Sequence, residues 1–258
     1  MQTAQLNGTT IAYEDTGGKG PAVILSHGFL MDHSMFDHQV AALKGTHRVI
    51  TWDERGFGGT KAPTDFTYWD SARDVLALMD HLGIESAVVG GMSQGGFLSL
   101  RVALTAPDRV RALILLDTQA GTEDPATIEP YNQLHAAWVE HGAAAVQEVI
   151  AGIILGPGSW TDWFDKWAVL EPEQFTRAFH CLMHRDDVTD RLGEITCPAL
   201  IVHGTADVAI PMEKAEQLRD KLSGPTTLVP VEGGPHAANI THHEEVNSAI
   251  LRFLEAID

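Results

Sequence analysis

The sequence predicts an α/β protein in which helices cover both faces of a mostly parallel sheet and a helical cap is inserted into the chain. Over residues 1–120 and again over 190–258, apolar runs typical of buried strands alternate with stretches of helical periodicity. Over residues 121–189 the helical periodicity continues, but no strand candidate is present. We therefore expect a core domain made of the two outer segments and a cap subdomain made of the middle segment.

The overall composition is that of a globular protein of ordinary size. The chain has 258 residues, of which 44% are apolar and 20% are charged, which suits one α/β domain with an insertion. No apolar run reaches the roughly 20 residues of a membrane helix, and the first residues lack the basic and apolar regions of a secretion signal. Since two cysteines, Cys181 and Cys197, do not make a disulfide framework, we expect reduced thiols and a cytoplasmic protein.

The charge of the chain is strongly acidic. It carries 35 Asp and Glu residues against 17 Lys and Arg residues, for a formal net charge of −18. Such a surface repels nucleic acid and anionic membranes, so neither is an expected partner. No cluster of Lys and Arg is present to receive phosphate groups, which makes highly anionic substrates a poor fit. The sequence leaves the oligomeric state open.

Strands are predicted where short apolar runs are bounded by turn residues. The first two strands form a hairpin, because Asn7-Gly8 is a residue pair preferred in two-residue turns. The later runs are continuously apolar rather than alternating, as expected for strands buried on both faces of a parallel sheet. In chain order, the predicted strands lie in the hairpin 3–14 and at residues 22–26, 48–52, 86–90, 110–116, 199–203 and 226–231.

Helices are predicted where apolar residues recur at three- and four-residue spacing. Gly83 follows one such stretch as a typical helix stop, and Pro107 ends another. In the middle segment, one long or broken helix is closed by Gly156-Pro157-Gly158. In chain order, the predicted helices span residues 34–43, 67–82, 97–106, 129–155, 160–170, 172–184, 212–222 and 244–257.

The carboxyl ends of the parallel strands should meet at one edge of the sheet, where open α/β sheets bind ligands. One of these strand ends carries Gly91-Met92-Ser93-Gln94-Gly95, between a predicted strand and a predicted helix. This is the context of a G-x-S-x-G nucleophile elbow, in which the glycines allow a tight turn that lifts the serine hydroxyl out of the backbone. Ser93 is therefore the candidate nucleophile.

A serine nucleophile needs a base, and the base needs an acid that orients it. Asp207 ends the loop Gly204-Thr205-Ala206-Asp207, directly after one predicted strand. His236 ends the loop Gly233-Gly234-Pro235-His236, directly after the next one. The chain order Ser93, Asp207, His236 is the one expected for a serine on a strand–turn–helix elbow. Asp117 also follows a predicted strand, and it is an alternative acid.

Taken together, these motifs resemble those of the α/β-hydrolase family. The resemblance rests on five pieces that follow one another along nearly the whole chain: His27-Gly28-Phe29, Asp53-x-Arg55-Gly56-x-Gly58, the Ser93 elbow, and the loops that end in Asp207 and His236. The chain is similar to the small microbial members that include carboxylesterases, enol-lactonases, non-haem perhydrolases and carbon–carbon bond hydrolases. It departs from epoxide hydrolases and haloalkane dehalogenases, which carry Asp where this chain has Ser93.

The resemblance implies a mechanism that needs no metal and no cofactor. Ser93 would attack an acyl carbonyl, His236 would move the proton, and Asp207 would hold the imidazole. Backbone N–H groups of Phe29 and Gln94 would form the oxyanion hole, where each donor contributes about 3–4 kcal/mol in the transition state. The side chain of Gln94 would either touch the substrate or pack beneath the cap.

Two other clusters admit both a functional and a structural interpretation. Residues 242–244 (His-His-Glu) could join His236 at a metal ion, but their spacing matches no compact ligand motif. A solvated group at a helix start is the favoured interpretation. Asp53 and Arg55 are interpreted as a buried ion pair that shapes the wall of the cleft.

The predicted cap is rich in large apolar side chains, with Trp160, Trp163 and Trp167 at helical spacing. Most of this stripe is expected to pack against the core domain. Trp160 and Trp163 are nevertheless candidates to line an apolar acyl pocket together with Phe29 and Leu30. We therefore expect a carboxylic ester or lactone of small to medium size as the substrate and partner. The same triad would also serve a carbon–carbon bond hydrolase or a perhydrolase, and a ligand-sensing regulatory protein on a hydrolase scaffold is a further alternative.

Overall fold

A computed structural model describes residues 1–257 and contains one sheet of eight strands. The strands are β1 (Gln2–Leu6), β2 (Thr9–Asp15), β3 (Ala22–Ser26), β4 (Arg48–Trp52), β5 (Ala87–Met92), β6 (Val110–Leu116), β7 (Ala199–Gly204) and β8 (Thr226–Val231). Their spatial order is β1-β2-β4-β3-β5-β6-β7-β8. The hairpin β1–β2 and the pair β2–β4 are antiparallel, and the remaining neighbours are parallel. The predicted mostly parallel α/β fold is confirmed.

The helices fall between the strands as the alternating pattern predicted. They are α1 (Asp37–Leu43), α2 (Tyr68–His81), α3 (Gln94–Thr105), α4 (Pro125–His141), α5 (Gln147–Ile154), α6 (Thr161–Ala168), α7 (Pro172–Met183), α8 (Met212–Lys221), α9 (Ala238–Thr241) and α10 (His243–Ile257). Helices α1 and α10 pack together, and α2 packs with α3. The stretch predicted as one long or broken helix is broken, because Gly142, at φ 83°, ends α4.

The register of the parallel strands brings the functional loops to one edge of the sheet. Ser26 of β3 pairs with Gly91 of β5, and Met92 of β5 pairs with Leu116 of β6. Leu116 in turn pairs with Val202 of β7. The loops that follow β3, β5, β6 and β7 therefore leave the sheet side by side, as expected for ligand-binding loops of an open α/β sheet.

The central strands are buried on both faces. Every residue of β3, β5 and β7 is buried, which is why their sequences are continuous apolar runs. Each buried Ile, Leu or Val in these strands contributes about 1.5–3 kcal/mol relative to an exposed side chain. The last strand, β8, is half-exposed and contains Pro230, which fits its place at the edge of the sheet.

Four helices, α4 to α7, lie between β6 and β7, and the described chain forms no strand there. This segment is attached to the loops of the sheet by specific hydrogen bonds. The indole N–H of Trp167 donates to the carbonyl of Leu30 at 2.6 Å, and the side chain of Gln174 exchanges hydrogen bonds with the backbone of Ala62 at 2.6 and 3.2 Å. The boundaries of a separate cap subdomain at residues 121 and 189 stay a prediction.

Two further expectations concern the chain as a whole. Cys181 and Cys197 are both free thiols, as predicted. None of the helices within residues 1–257 is both long enough and apolar enough to cross a lipid bilayer.

Candidate active site

Ser93 occupies a strained turn between β5 and α3. Its backbone has φ 52° and ψ −114°, a left-handed conformation that residues with a side chain adopt only when their surroundings enforce it. The Ser93 N–H donates to the carbonyl of Leu116 at 2.9 Å, and the Ser93 carbonyl accepts from the N–H groups of Gly96 and Phe97 at 2.9 and 3.1 Å. The hydroxyl of Thr118 donates to the same carbonyl at 2.7 Å. Hydrogen bonds on both sides of the serine thus fix the turn.

Two glycines let this turn lie directly against β3. A Cβ atom at Gly91 or at Gly95 would overlap the carbonyl oxygen of Ser26. Any other residue at these positions would push the turn and α3 away from the sheet. The G-x-S-x-G pattern is therefore required here by a close backbone approach.

His236 and Asp207 come together as the sequence predicted. The Nδ1 atom of His236 lies 2.8 Å from Oδ2 of Asp207, whose side chain is fully buried. The other carboxylate oxygen of Asp207 accepts from the backbone N–H groups of Ala209 and Ile210 at 2.8 and 2.9 Å. Burial alone would raise the pKa of Asp207, but His236 and the Ile210 N–H outweigh burial and lower it. Asp207 is therefore ionised, and its carboxylate is the partner of His236.

Asp117, the alternative acid, lies close by but bonds elsewhere. Its Oδ1 atom accepts from the N–H of Gly204 at 2.7 Å, and its Oδ2 atom is buried without a hydrogen bond. Burial, together with the neighbouring Asp207 carboxylate, raises the pKa of Asp117 well above its usual value. Burial thus favours the uncharged form of Asp117, and Asp207 is the carboxylate that holds His236.

The nearest arrangement to a metal site is formed by Asp117, His203 and Asp207, whose potential ligand atoms lie within 4.8 Å of one another. Oδ1 of Asp117 and both carboxylate oxygens of Asp207 already take part in hydrogen bonds. His203 Nε2 lies 2.8 Å from the carbonyl of Ile210, and burial lowers the pKa of His203 so that it stays neutral. His203 Nε2 also lies 3.5 Å from Oδ2 of Asp207, so the three side chains form one close polar group. His243 is the first residue of α10, the helix start that the favoured interpretation predicted, and its ring stacks on His38.

The loop after β3 places the second candidate oxyanion residue, Phe29. Leu30 follows it with φ 63°, and the N–H of Met31 closes the turn on the carbonyl of Gly28 at 3.0 Å. His27 braces this loop, because its Nδ1 lies 2.8 Å from the Gly28 carbonyl and its Nε2 accepts from the backbone N–H of Glu54 at 2.9 Å. Burial lowers the pKa of His27, so this imidazole is neutral and structural.

Gln94 is the first residue of α3, where a backbone N–H has no partner within the helix. Its side chain is buried, and its oxygen accepts from the hydroxyl of Tyr68 at 3.1 Å. The Gln94 amide nitrogen lies near the Glu54 carboxyl, and this contact by itself would lower the pKa of Glu54. The two groups do not have hydrogen-bond geometry. Burial raises the pKa of Glu54 well above its usual value. The Gln94 side chain is therefore held in the interior by Tyr68. The backbone N–H of Gln94 stays a candidate donor to the oxyanion.

Ser93 and His236 line one cavity, which encloses about 750 Å³ including the part that is open to solvent. No hydrogen bond joins the Ser93 hydroxyl to His236 within residues 1–257. The rest of the lining is mainly apolar and comes from the loop after β3, from α3 to α5, from α7 and from the loop after β7. The apolar lining residues are Phe29, Leu30, Met92, Phe97, Leu134, Ile150, Ile153, Ile154, Phe175, Phe179, Leu182, Ala209 and Ile210.

The structure brings Phe29 and Leu30 to this cavity but not Trp160 and Trp163. The Trp160 indole N–H donates to the carbonyl of Gly156 at 2.9 Å. Trp163 lies beside a separate cavity, with the ammonium group of Lys166 4.3 Å from its ring centroid. The expected pocket role of both tryptophans is thus corrected, because helical periodicity identified the apolar face of α6 but not the surface that covers it.

Comparison with known proteins decides the family. Residues 21–153, just over half of the chain, match the sequence profile described as alpha/beta hydrolase fold. Residues 180–256 match a second profile, described as TAP-like protein. The chain belongs to the α/β-hydrolase family.

Relatives of this hydrolase carry several activities in their names. A non-heme chloroperoxidase from Streptomyces lividans is 29% identical over 97% of this chain and 98% of its own length. The crystal structure of the enol-lactonase from Burkholderia xenovorans superposes with a TM-score of 0.90 and 26% identity, covering 98% of this chain and 100% of that one. A thermophilic esterase from Thermogutta terrifontis superposes with a TM-score of 0.88 and 28% identity, over 99% and 97% of the two chains.

The polar residues in the cavity of this hydrolase were missed by the sequence analysis. Besides Ser93 and His236, they are Glu123, Tyr131 and His135. All three lie at or near α4, and they belong to no motif. The sequence places all three residues in the segment between β6 and β7, which was predicted to cover the strand ends. That position does not identify which face of a helix points into the cavity.

In the glycine-rich loop of the hydrolase, Asp53 and Arg55 do not form the predicted ion pair with each other. Arg55 pairs with Asp74, to which its Nη2 atom donates at 2.9 Å. Asp53 instead pairs with His33, whose Nδ1 atom lies 2.7 Å from its carboxylate. Both aspartates are buried, so the loop is a structural support, but its two charges have separate partners.

Proposed function

We propose that this α/β-hydrolase is a serine hydrolase that cleaves carboxylic esters or lactones through an acyl-enzyme. The observation that carries the proposal is that Ser93, on its strained turn, and His236, held at 2.8 Å by Asp207, line the same apolar cavity. A nucleophile, a base and an orienting acid are the minimum set for acyl transfer to a serine.

In the first half of the reaction, Ser93 Oγ attacks the acyl carbon while His236 takes the hydroxyl proton. The tetrahedral intermediate carries its negative charge on the former carbonyl oxygen, facing the N–H groups of Phe29 and Gln94. Collapse of the intermediate breaks the bond to the alcohol oxygen, which receives the proton from His236. The product of this half is an ester of Ser93 and a free alcohol, or, for a lactone, a ring-opened chain on Ser93.

In the second half, His236 removes a proton from water, and the hydroxide oxygen attacks the acyl carbon of the Ser93 ester. The same two N–H groups receive the charge, Ser93 leaves with the proton from His236, and a carboxylic acid is released. The Ser93–His236 hydrogen bond must tighten when substrate enters, since catalytic hydrogen bonds are often long or misaligned in ligand-free enzymes.

The lining of the cavity favours an uncharged substrate. Apart from histidine, Glu123 is the one charged side chain among the lining residues within positions 1–257. A carboxylate on the substrate would meet that negative charge in an apolar surrounding without a cation to pair with it, which is costly. We therefore favour neutral esters and lactones with an apolar acyl group.

The test combines covalent labelling with turnover. A fluorophosphonate probe should label the wild type at Ser93, as located by mass spectrometry, and short p-nitrophenyl esters and γ-lactones should be hydrolysed. In Ser93→Ala both labelling and turnover should be lost, with kcat down by about 10⁴-fold or more. Ser223→Ala is the matched control, because that hydroxyl lies at the surface and bonds to the carbonyl of Gly193. Equal hydrolysis by wild type and Ser93→Ala would refute the proposal.

Perhydrolysis is a second candidate, favoured by the likeness to a protein named non-heme chloroperoxidase. It would share the acyl-enzyme, with hydrogen peroxide replacing water, so that a peracid rather than an acid is released. Bromination of monochlorodimedone in the presence of acetate, peroxide and bromide detects the peracid. Its loss in Ser93→Ala would assign perhydrolysis to the same site, and persistence in that variant would exclude it.

A further inference from the structure

We propose that Tyr131 and Glu123 form a polar subsite that binds an amide group on the alcohol portion of the substrate. This inference rests on the proposed ester and lactone hydrolysis, whose alcohol portion it defines more closely. Both residues line the cavity that contains Ser93 and His236. The subsite would select esters or lactones with an N–H and a carbonyl near the scissile bond over plain alkyl esters.

Tyr131 supplies a hydrogen-bond donor that nothing in the protein uses. It lies on α4, and its hydroxyl makes no hydrogen bond within residues 1–257. Burial first, and then the carboxylates of Glu123 and Asp207, raise the pKa of Tyr131 to about 12. The phenol therefore keeps its proton at physiological pH and can donate it to a carbonyl oxygen. A half-buried hydroxyl without a partner, facing a cavity, is a typical specificity element of a small-molecule site.

Glu123 supplies a fixed acceptor beside this donor. Its carboxylate lies 2.9 Å from Nη2 of Arg185, and 10% of its side chain is exposed. The guanidinium is itself anchored, since it donates to the carbonyls of Gly121 and Leu182 at 3.0 and 2.9 Å and lies 4.3 Å from the ring centroid of Phe97. A carboxylate can accept about four hydrogen bonds, so the pairing with Arg185 leaves acceptor sites for a substrate N–H.

The position of Tyr131 indicates which part of the substrate it meets. Ala209 and Ile210 line the cavity together with Tyr131, and their N–H groups bond to the Asp207 carboxylate that holds His236. His236 delivers its proton to the departing alcohol oxygen, so the alcohol portion occupies this side of the cavity. The acyl chain is left to the apolar side chains of Phe29, Phe175 and Phe179, which pack against one another.

A donor and an acceptor side by side are complementary to a secondary amide. Tyr131 would donate to the amide oxygen, and Glu123 would accept from the amide N–H. An alkyl alcohol of the same length would leave both protein groups without a partner after water is expelled. Sites that leave buried polar groups unpaired discriminate strongly against the analogue that lacks the group.

Two esters of one acid test the subsite. 2-Acetamidoethyl butanoate and pentyl butanoate share their acyl group and have alcohol chains of equal length, and release of butanoate gives kcat/KM for each. In Tyr131→Phe, kcat/KM should fall about tenfold for the acetamidoethyl ester and less than about twofold for the pentyl ester. Tyr13→Phe is the matched control, because it removes a hydroxyl on β2 that bonds to Gln2; both values should stay at the wild-type level.

A third ester separates the two halves of the subsite. 2-(N-Methylacetamido)ethyl butanoate keeps the carbonyl for Tyr131 but lacks the N–H for Glu123. It should be a poorer substrate than the secondary amide for the wild type, and it should still lose activity in Tyr131→Phe. An equal fall for the amide and pentyl esters in Tyr131→Phe would overturn the subsite while leaving the proposed hydrolysis intact.

A binding measurement keeps the inference testable if turnover is absent. Failure of the wild type to cleave these esters, the p-nitrophenyl esters and the γ-lactones alike would reject the proposed hydrolysis. Saturation-transfer NMR with 2-acetamidoethyl butanoate, in Ser93→Ala and in Ser93→Ala with Tyr131→Phe, then gives the affinity directly. A Kd about tenfold weaker in the double variant would support the subsite, and equal Kd values would overturn it.

Discussion

Two histidine–aspartate pairs in this molecule have nearly the same geometry. His236 lies 2.8 Å from Asp207, and His33 lies 2.7 Å from Asp53, in each case through Nδ1. Both aspartate side chains are fully buried. Each carboxylate also accepts two backbone N–H groups, from Ala209 and Ile210 at Asp207, and from His33 and Gly59 at Asp53. The distance between imidazole and carboxylate therefore does not distinguish the proposed catalytic pair from a structural one.

The difference lies on the far side of each imidazole. His236 lines a cavity together with a serine. His33 turns its Nε2 atom toward the carboxylate of Glu14, 3.9 Å away at the surface. Burial alone would lower the pKa of His33, but Asp53, Asp32 and Glu14 outweigh it and raise the pKa. Carboxylates around a histidine favour its protonated, cationic form, whereas a general base must be able to accept a proton and release it again.

The largest expected effect is the contrast between one chemical change made at both pairs. In Asp207→Asn, kcat should fall by about 10³–10⁴-fold, because the imidazole loses its tautomer control and the charge that stabilises its protonated form. In Asp53→Asn, kcat per folded molecule should change less than about threefold, while the free energy of unfolding should fall by about 2–4 kcal/mol, since a buried acceptor is replaced by an amide.

These two variants are compared by active-site titration and urea unfolding. Titration gives kcat per functional site, and unfolding gives the stability of each variant. A large loss of kcat in a stable, fully titratable Asp53→Asn protein would contradict the structural role of the His33–Asp53 pair, because both pairs would then be needed for the reaction.

A smaller effect is expected for His33→Gln, and its dependence on pH identifies the ion pair. The pKa of His33 is raised on folding, so its contribution is present in full below the unfolded value of about 6.5 and is lost as pH rises through the folded pKa. The pKa of Asp53 is lowered, so the pair weakens only in strong acid. The variant should be destabilised by about 1 kcal/mol more at pH 5.5 than at pH 9.

Urea unfolding of wild type and His33→Gln at these two pH values measures the difference. A loss of stability that is the same at both values would mean that the proton on His33 adds nothing to the pairing.

The smallest effect is expected for Asp117→Asn, which tests the third buried carboxyl near the triad. Burial and the neighbouring Asp207 carboxylate raise the pKa of Asp117 and favour its uncharged form. An amide matches that form in charge, and its oxygen can still accept the N–H of Gly204. The value of kcat should stay within about threefold of wild type, and the pH at which activity reaches half its maximum should not move. A fall comparable to that of Asp207→Asn would make Asp117 the orienting acid.

The sheet and the triad candidates could be predicted because local chemistry determines them. Continuous apolar runs identified the buried strands, and the elbow glycines are required by a close approach to Ser26. The carboxyl ends of strands in a parallel sheet meet at one edge. Ser93, Asp207 and His236 each follow a strand, so the sequence predicted that they would lie near one another at that edge.

The contacts between segments could not be predicted, because they depend on how helices pack. Nothing in the sequence pairs His33 with Asp53 across 20 positions or separates Arg55 from its neighbour Asp53. Periodicity gave Trp163 an apolar face but did not show that the residue lies beside a separate cavity. The sequence around Tyr131 shows only that it lies in a helix, and its role in lining the cavity depends on where α4 packs. The polar residues of the cavity could therefore be identified only from the structure.

Phe29 joins the two halves of the site in a single residue. Its backbone is the candidate second donor to the oxyanion, and its ring packs on Phe57 from the core and on Phe175 and Phe179 from α7. Replacing Phe175 or Phe179 by a smaller residue, to admit a bulkier acyl group, would remove a side chain that packs against the Phe29 ring. Under the proposed mechanism we therefore expect size selectivity and turnover rate to change together, and directed evolution toward larger acyl groups should need a compensating residue against Phe29 before it recovers speed.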